Sequence, residues 1–114
     1  MIRVCICGGR NYSDKEKVYK ILDKLLTIRS DFVIITGGCT GADSHAIEWA
    51  KEHGQEYETY YADWKKHKRA AGPIRNRQML GLGIQLLIAF PGNNGTKDMI
   101  DICKKAGVKV LKVK

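Results

Sequence analysis

The sequence predicts an α/β fold: a three-layer α/β/α sandwich around a mostly parallel five-stranded sheet. Three observations carry this. Short, apolar, β-prone runs alternate with segments of helical period from one end to the other. The turns after the first, second and fourth of those runs are rich in glycine, and in a parallel sheet such turns share one edge. The chain has 114 residues, the length of a single domain, with no visible linker or internal repeat. Parallel strands need crossover connections, and those crossovers are right-handed. The arrangement is therefore Rossmann-like, and ligands of such sheets bind beyond the carboxyl ends of the strands.

Residues 2–6 form the first strand and stop at the turn cluster Gly8-Gly9-Arg10-Asn11. Ser13 with Glu16 spells a capping box, with Asp14 adding first-turn negative charge. The helix that follows repeats Val18, Ile21, Leu22, Leu25, Leu26 and Ile28 at helical spacing. Phe32-Val33-Ile34-Ile35 is apolar on both faces, as a central parallel strand is. It runs into Thr36-Gly37-Gly38-Cys39-Thr40-Gly41-Ala42-Asp43 and a second helix through Ala46, Ile47, Trp49 and Ala50, with Gly54 as its stop. Residues 56–61 form a third strand, polar enough for a sheet edge. Residues 62–72 read as a basic loop without a period. Pro73 suits the first turn of a helix carrying Ile74, Met79 and Leu80, which ends near Gly81 to Gly83. Residues 85–90 are the fourth strand, followed by Pro91-Gly92. Thr96 can cap the last helix, whose inner face holds Met99, Ile100 and Cys103, and residues 108–113 close the sheet.

Composition narrows the function classes. Hydrophobic residues make up 44%, which fits a globular protein and argues against disorder. No apolar run approaches the roughly 20 residues needed to cross a bilayer, so no membrane partner is expected. The N-terminus reads as a strand rather than a signal peptide. Cys5 and Cys7 share one face of a strand, too poorly placed to bond each other, and no Cys-x-x-Cys occurs. No histidine sits at metal-ligand spacing, so neither a metal nor a cofactor is expected. The four cysteines read as reduced thiols, which points to the cytoplasm. A net charge of +8 favours an anionic partner, either a phosphorylated small molecule or nucleic acid. Many lysines fall on solvent faces of helices, whereas Lys65-Lys66-His67-Lys68-Arg69 is a denser cluster.

The candidate site residues lie on the glycine edge. Gly8 and Gly9 let a ligand approach the backbone, and Arg10 can reach a phosphate or simply lie on the surface. Gly37, Gly38 and Gly41 before a helix start make an anion cradle. Asp43 fits either a capping box with Thr40 or a ribose hydroxyl. Trp64 can stack on a base or cover the sheet edge. Arg75, Asn76 and Arg77 diverge around a helix, so one arginine faces the ligand edge while the other pairs or is solvated. Pro91, Gly92, Asn93, Gly95 and Thr96 open the last helix, whose N–H groups suit a phosphate. Asp98 can act on a ribose or complement the helix dipole. Neither a G-x-G-x-x-G fingerprint nor a Walker A pattern is present.

Gly8-Gly9-Arg10, Thr36-Gly37-Gly38 with Gly41-Ala42-Asp43, Ala71 through Arg77, and Phe90-Pro91-Gly92 with Gly95-Thr96 occur in one order along nearly the whole chain. On these motifs the sequence resembles the SLOG superfamily of SMF/DprA-type and LOG-type proteins, nearest its YspA, or cpYpsA-related, branch. The resemblance implies a site for a nucleotide or an ADP-ribose-like ligand along the glycine edge. It also implies an intracellular sensor or ligand-binding protein of bacterial or phage origin, acting as a homodimer or higher homo-oligomer. A LOG-like phosphoribohydrolase is the alternative: Arg75 would hold the 5′-phosphate and Asp98 would face the ribose. LOG enzymes place a Glu after a Pro-Gly-Gly-x-Gly-Thr turn; here Asn93 replaces a glycine and Asp98 is one methylene shorter. Binding of single-stranded nucleic acid, as in DprA-type proteins, is a further reading.

Overall fold

The computed structural model describes the chain from Met1 to Lys114. Five strands, β1 (Ile2–Cys7), β2 (Phe32–Thr36), β3 (Tyr57–Thr59), β4 (Leu86–Ala89) and β5 (Lys109–Lys112), form one sheet in the order β3-β2-β1-β4-β5. Every pairing is parallel, which sharpens the expectation of a mostly parallel sheet. Ladder bonds run one residue past several strand ends, as from Phe90 N–H to Cys7 C=O and from Val113 N–H to Ala89 C=O. The helices are α1 (Lys15–Ile28), α2 (Ala42–Glu52), α3 (Trp64–His67), α4 (Ala71–Gly81) and α5 (Asn94–Lys105). The chain winds outward from β1 to β2 and β3, then crosses back to β4 and β5. The switch point therefore falls between β1 and β4, where a crevice opens beyond the strand ends.

The period-two alternation of β1 divides its side chains between two cores. Val4 and Ile6 join Val18, Leu22, Ala46, Trp49 and Phe32 under α1 and α2. Cys5 and Cys7 join Met79, Leu87, Met99 and Cys103 under α4 and α5. All four cysteines are free. The Trp49 indole N–H donates to Asp23 at 2.7 Å, tying α2 to α1 from within the first core.

Three local expectations need correction. The capping box of Ser13 and Glu16 does not form: Asp14 is the N-cap of α1 and accepts from Lys17 N–H at 3.1 Å. Asp14 stands immediately before the first helical residue, and its charge also complements the helix dipole. Thr96 does not cap α5, which starts two residues earlier with Asn93 at the N-cap and no side-chain cap bond. Residues 62–72 are not a loop. Asp63 caps α3 by accepting from Lys66 N–H, a 3-10 turn spans Lys68–Ala70, and α4 begins at Ala71. Pro73 sits inside the first turn of α4, where its missing N–H would have had no helical partner.

Lys68 links α3 to that turn at φ 54° and ψ −128°, the single non-glycine residue with positive φ. This region is costly for a residue with a Cβ, typically by 1–3 kcal/mol. Lys68→Gly is expected to stabilise the fold by about 1 kcal/mol, read as a rise in the urea midpoint at unchanged m-value.

Candidate functional site

The turn after β1 is wedged between the turns after β2 and β4. Gly9 N–H donates to Pro91 C=O at 2.8 Å, and Gly9 C=O accepts from the N–H groups of Tyr12 and Ala42. A Cβ on Gly8 would lie 2.6 Å from the Ala42 Cβ and 3.0 Å from the Phe90 Cβ. Gly41, at φ +79°, would collide with the Gly9 carbonyl if it carried a side chain. These glycines let three strand ends converge on one cleft of about 840 Å³. Of the candidate residues read from the sequence, all but Gly38, Gly41 and Arg77 line it.

The turn after β2 already holds an anion of its own. One Asp43 oxygen accepts from Gly37 N–H at 3.1 Å and Cys39 N–H at 3.3 Å. Both N–H groups lie in the turn expected to cradle a ligand anion. Asp43 does not serve as a capping-box partner of Thr40: α2 has Gly41 at its N-cap, and the Thr40 hydroxyl donates to Arg10 C=O. Only 6% of Asp43 is exposed. Burial pushes its carboxyl up to about 6, against the pull of the two N–H bonds and of Arg75 and Arg10.

The arginines of α4 diverge. The Arg75 guanidinium lies against Gly37, where a Cβ would strike it. It donates to Gly37 C=O at 3.0 Å and Tyr60 C=O at 3.4 Å, and its Nε donates to the Asn76 Oδ1 at 3.2 Å. Buried Asn76 in turn donates to Gly95 C=O and to Asp98 at 3.0 Å, pinning α4 to the start of α5. Arg77 does not line the cleft and grips both Asp98 oxygens, at 3.2 and 3.3 Å. Both of the Asp98 oxygens are thus engaged.

Three cations on the cleft wall, Arg10, Arg69 and Arg75, have no ion pair. Arg10 lies over the Trp64 ring at 5.4 Å. Also lining the cleft, the first turn of α5 carries no side-chain cap, which leaves its first N–H groups without helical partners. The Thr96 hydroxyl sits over Gly92, where a Cβ would strike it, and donates to no protein group. No group of three or more His, Cys, Asp or Glu side chains is gathered as a metal would require. The sequence marks Arg69 only as part of the basic Lys65–Arg69 cluster, a candidate electrostatic funnel, and gives no sign of Tyr61. Arg69 was hidden in a charge cluster whose helical geometry is too short to show a period. Tyr61 stands just past an edge strand and was counted as part of it.

Two outcomes test this construction. Gly8→Ala is expected to destabilise the fold by roughly 2 kcal/mol through overpacking between rigid neighbours. Gly95→Ala, whose added Cβ meets nothing within 4 Å, is expected to be neutral or mildly stabilising. Denaturant midpoints of the two variants check both. For Asp43, a folded-state pKa raised above the ordinary 3.8 means that the native state holds the proton more tightly than the unfolded chain. That contribution is fully present below about pH 4 and is lost as the pH rises through about 6. Asp43→Asn should therefore gain stability relative to the parent between pH 4 and pH 7. The limit is about 3 kcal/mol, roughly two pK units at 1.36 kcal/mol each, and paired urea titrations at the two pH values read it.

Comparison with known proteins bears on the fold and the family. A profile described as "YAcAr: YspA, cpYpsA-related SLOG family" matches residues 2–67. The Gene 61 protein of Mycobacterium phage D29 is 36% identical, over 97% of this chain and 95% of its own length. The X-ray structure of TM1055 superposes with a TM-score of 0.73 at 17% identity, over 96% of this chain and 72% of that one. That of DNA processing protein A (DprA) from Streptococcus pneumoniae gives 0.66 at 18% identity, over 97% of this chain and 58% of the longer DprA chain. The two structures share the Rossmann-like fold. With its profile match across residues 2–67 and its end-to-end similarity to a phage protein, the chain belongs to the YspA, cpYpsA-related SLOG family.

Proposed function

We propose that the cleft at the switch point binds a nucleotide or a nucleotide-derived, ADP-ribose-like ligand, and that the protein acts as a ligand-binding or sensor protein. One observation carries this reading. Arg10, Arg69 and Arg75, all without ion pairs, line one cleft together with an uncapped helix start, while both acids there are already bonded within the protein. A cleft with unmatched positive charge and free N–H groups favours a phosphate. The aromatic face of Trp64 beside Arg10 suits a base. Membership of the SLOG family supports a nucleotide-related role. The name of the DprA neighbour keeps a nucleic-acid ligand as the competing outcome.

Binding rather than cleavage is the reading we favour. Asp98 is the acid that would face a ribose, and Arg77 and Asn76 hold both of its oxygens. A thermal-shift panel of nucleoside mono- and diphosphates and ADP-ribose is expected to find a ligand. At a hundredfold excess over Kd, such a ligand adds about 2.7 kcal/mol to stability. Thr96→Val removes a hydroxyl that has no protein partner. It is expected to weaken that ligand roughly tenfold while leaving the unliganded melting temperature unchanged. A flat panel at millimolar ligand would overturn the reading. Free base appearing by chromatography from nucleoside monophosphates, and lost in Asp98→Ala, would replace it with phosphoribohydrolase activity.

A further inference from the structure

A second hollow of about 270 Å³ adjoins the cleft on the β3 side. Arg10, Trp64 and Arg75 line both, so the two spaces share a wall of two guanidinium groups and one indole. The outer wall of the hollow is Tyr61. Tyr61 and Trp64 are 73% and 48% exposed, against the usual tendency of large aromatic rings to be covered. Neither ring hangs free. The Tyr61 ring rests on Gly38, where a Cβ would strike it, and the Trp64 ring edge lies against Gly72 at Cβ distance 3.5 Å. Each ring is thus seated on a glycine, Arg10 lies over the Trp64 ring, and both rings line the hollow. Two seated aromatic rings beside two guanidinium groups make a surface on which a planar, electron-rich heterocycle stacks.

We propose that this hollow is a second base subsite and that the ligand is of the dinucleotide class, two nucleosides joined through phosphates. One heterocycle stacks on Tyr61 and Trp64, the bridging phosphates lie at Arg10 and Arg75, and the second nucleoside extends into the main cleft toward α5. This rests on the nucleotide-binding reading above and adds to it the size and two-ended shape of the ligand. A mononucleotide fills the main cleft alone; a dinucleotide fills both spaces.

Calorimetric titration with AMP, ADP and diadenosine diphosphate separates the two claims, ADP matching the pyrophosphate. Diadenosine diphosphate is expected to bind on the order of tenfold more tightly than ADP, the gain of one stacked base. Tyr61→Ala should abolish that gain and leave ADP affinity within about twofold, and Tyr61→Phe should keep the gain, since the ring does the stacking. Equal affinity for ADP and diadenosine diphosphate overturns the second subsite while leaving the nucleotide site standing. So does an equal loss for both ligands in Tyr61→Ala. Absence of binding to all three overturns both readings. Affinity that keeps rising from di- to hexanucleotides, with steep salt dependence, overturns the dinucleotide assignment in favour of a nucleic-acid strand.

Discussion

The site depends on how closely three turns approach one another. The Gly8-Gly9 turn lies in contact with Ala42, Phe90 and Pro91, at distances that leave no room for a Cβ on Gly8 and little for one on Gly9. Parallel strands hold their neighbours near 4.8 Å apart in the hydrogen-bonding direction. Turns leaving three adjacent strands therefore crowd unless they lack side chains. Removing the Cβ atoms does two things at once. It lets α2 and α5 start close to the sheet edge, and it exposes peptide groups in place of side chains to the cleft between them. A helix start brought this near to a ligand supplies N–H groups at fixed positions, with no rotamers to order on binding.

Around that packed centre, electrostatics are shared unevenly between the two halves. On the β2 side, Asp43 occupies the turn on two backbone N–H groups, while Arg75 is bonded to carbonyl groups and Asn76 and keeps its charge unpaired. On the α5 side, Asp98 is taken by Arg77 and Asn76, which locks α4 against α5. What is left over is positive and lies between the halves. A buried carboxylate on backbone N–H groups also makes the β2 turn rigid, because removing it would leave two N–H groups without partners. The guanidinium of Arg75 lies over this turn and is held by two carbonyl groups and Asn76, so its position is set before any ligand arrives.

Much of the architecture was legible in the residues. Runs such as Phe32-Val33-Ile34-Ile35, apolar on both faces, could only be central parallel strands, and the structure buries all of them. Glycine after three strands located the edge on which the cleft opens. Less legible was any element shorter than a period. The four residues of α3 hold three basic side chains and no apolar stripe, so nothing in them distinguished a helix from a loop. The starts of α1 and α5 were misplaced because several polar residues there could cap a helix, and which one does depends on where the backbone turns. Tyr61 became part of the site only when the edge strand ended before it.

The sequence by itself determined the alternation of strands and helices, the glycine edge, and the family signature carried by its motifs. These are local: they follow from side-chain periodicity and from the backbone freedom of single residues. Only the tertiary structure decided what the charged residues do. Asp43, Arg75, Asn76, Arg77 and Asp98 each have several partners within reach along the chain. The choice among them depends on which groups the crossovers bring together and which of those are buried. Arg75 and Arg77 are two apart in sequence, yet Arg75 lines the cleft while Arg77 does not and grips Asp98. Burial decides the rest, because a charge without water must find a partner, and the partner it finds is no longer free for a ligand.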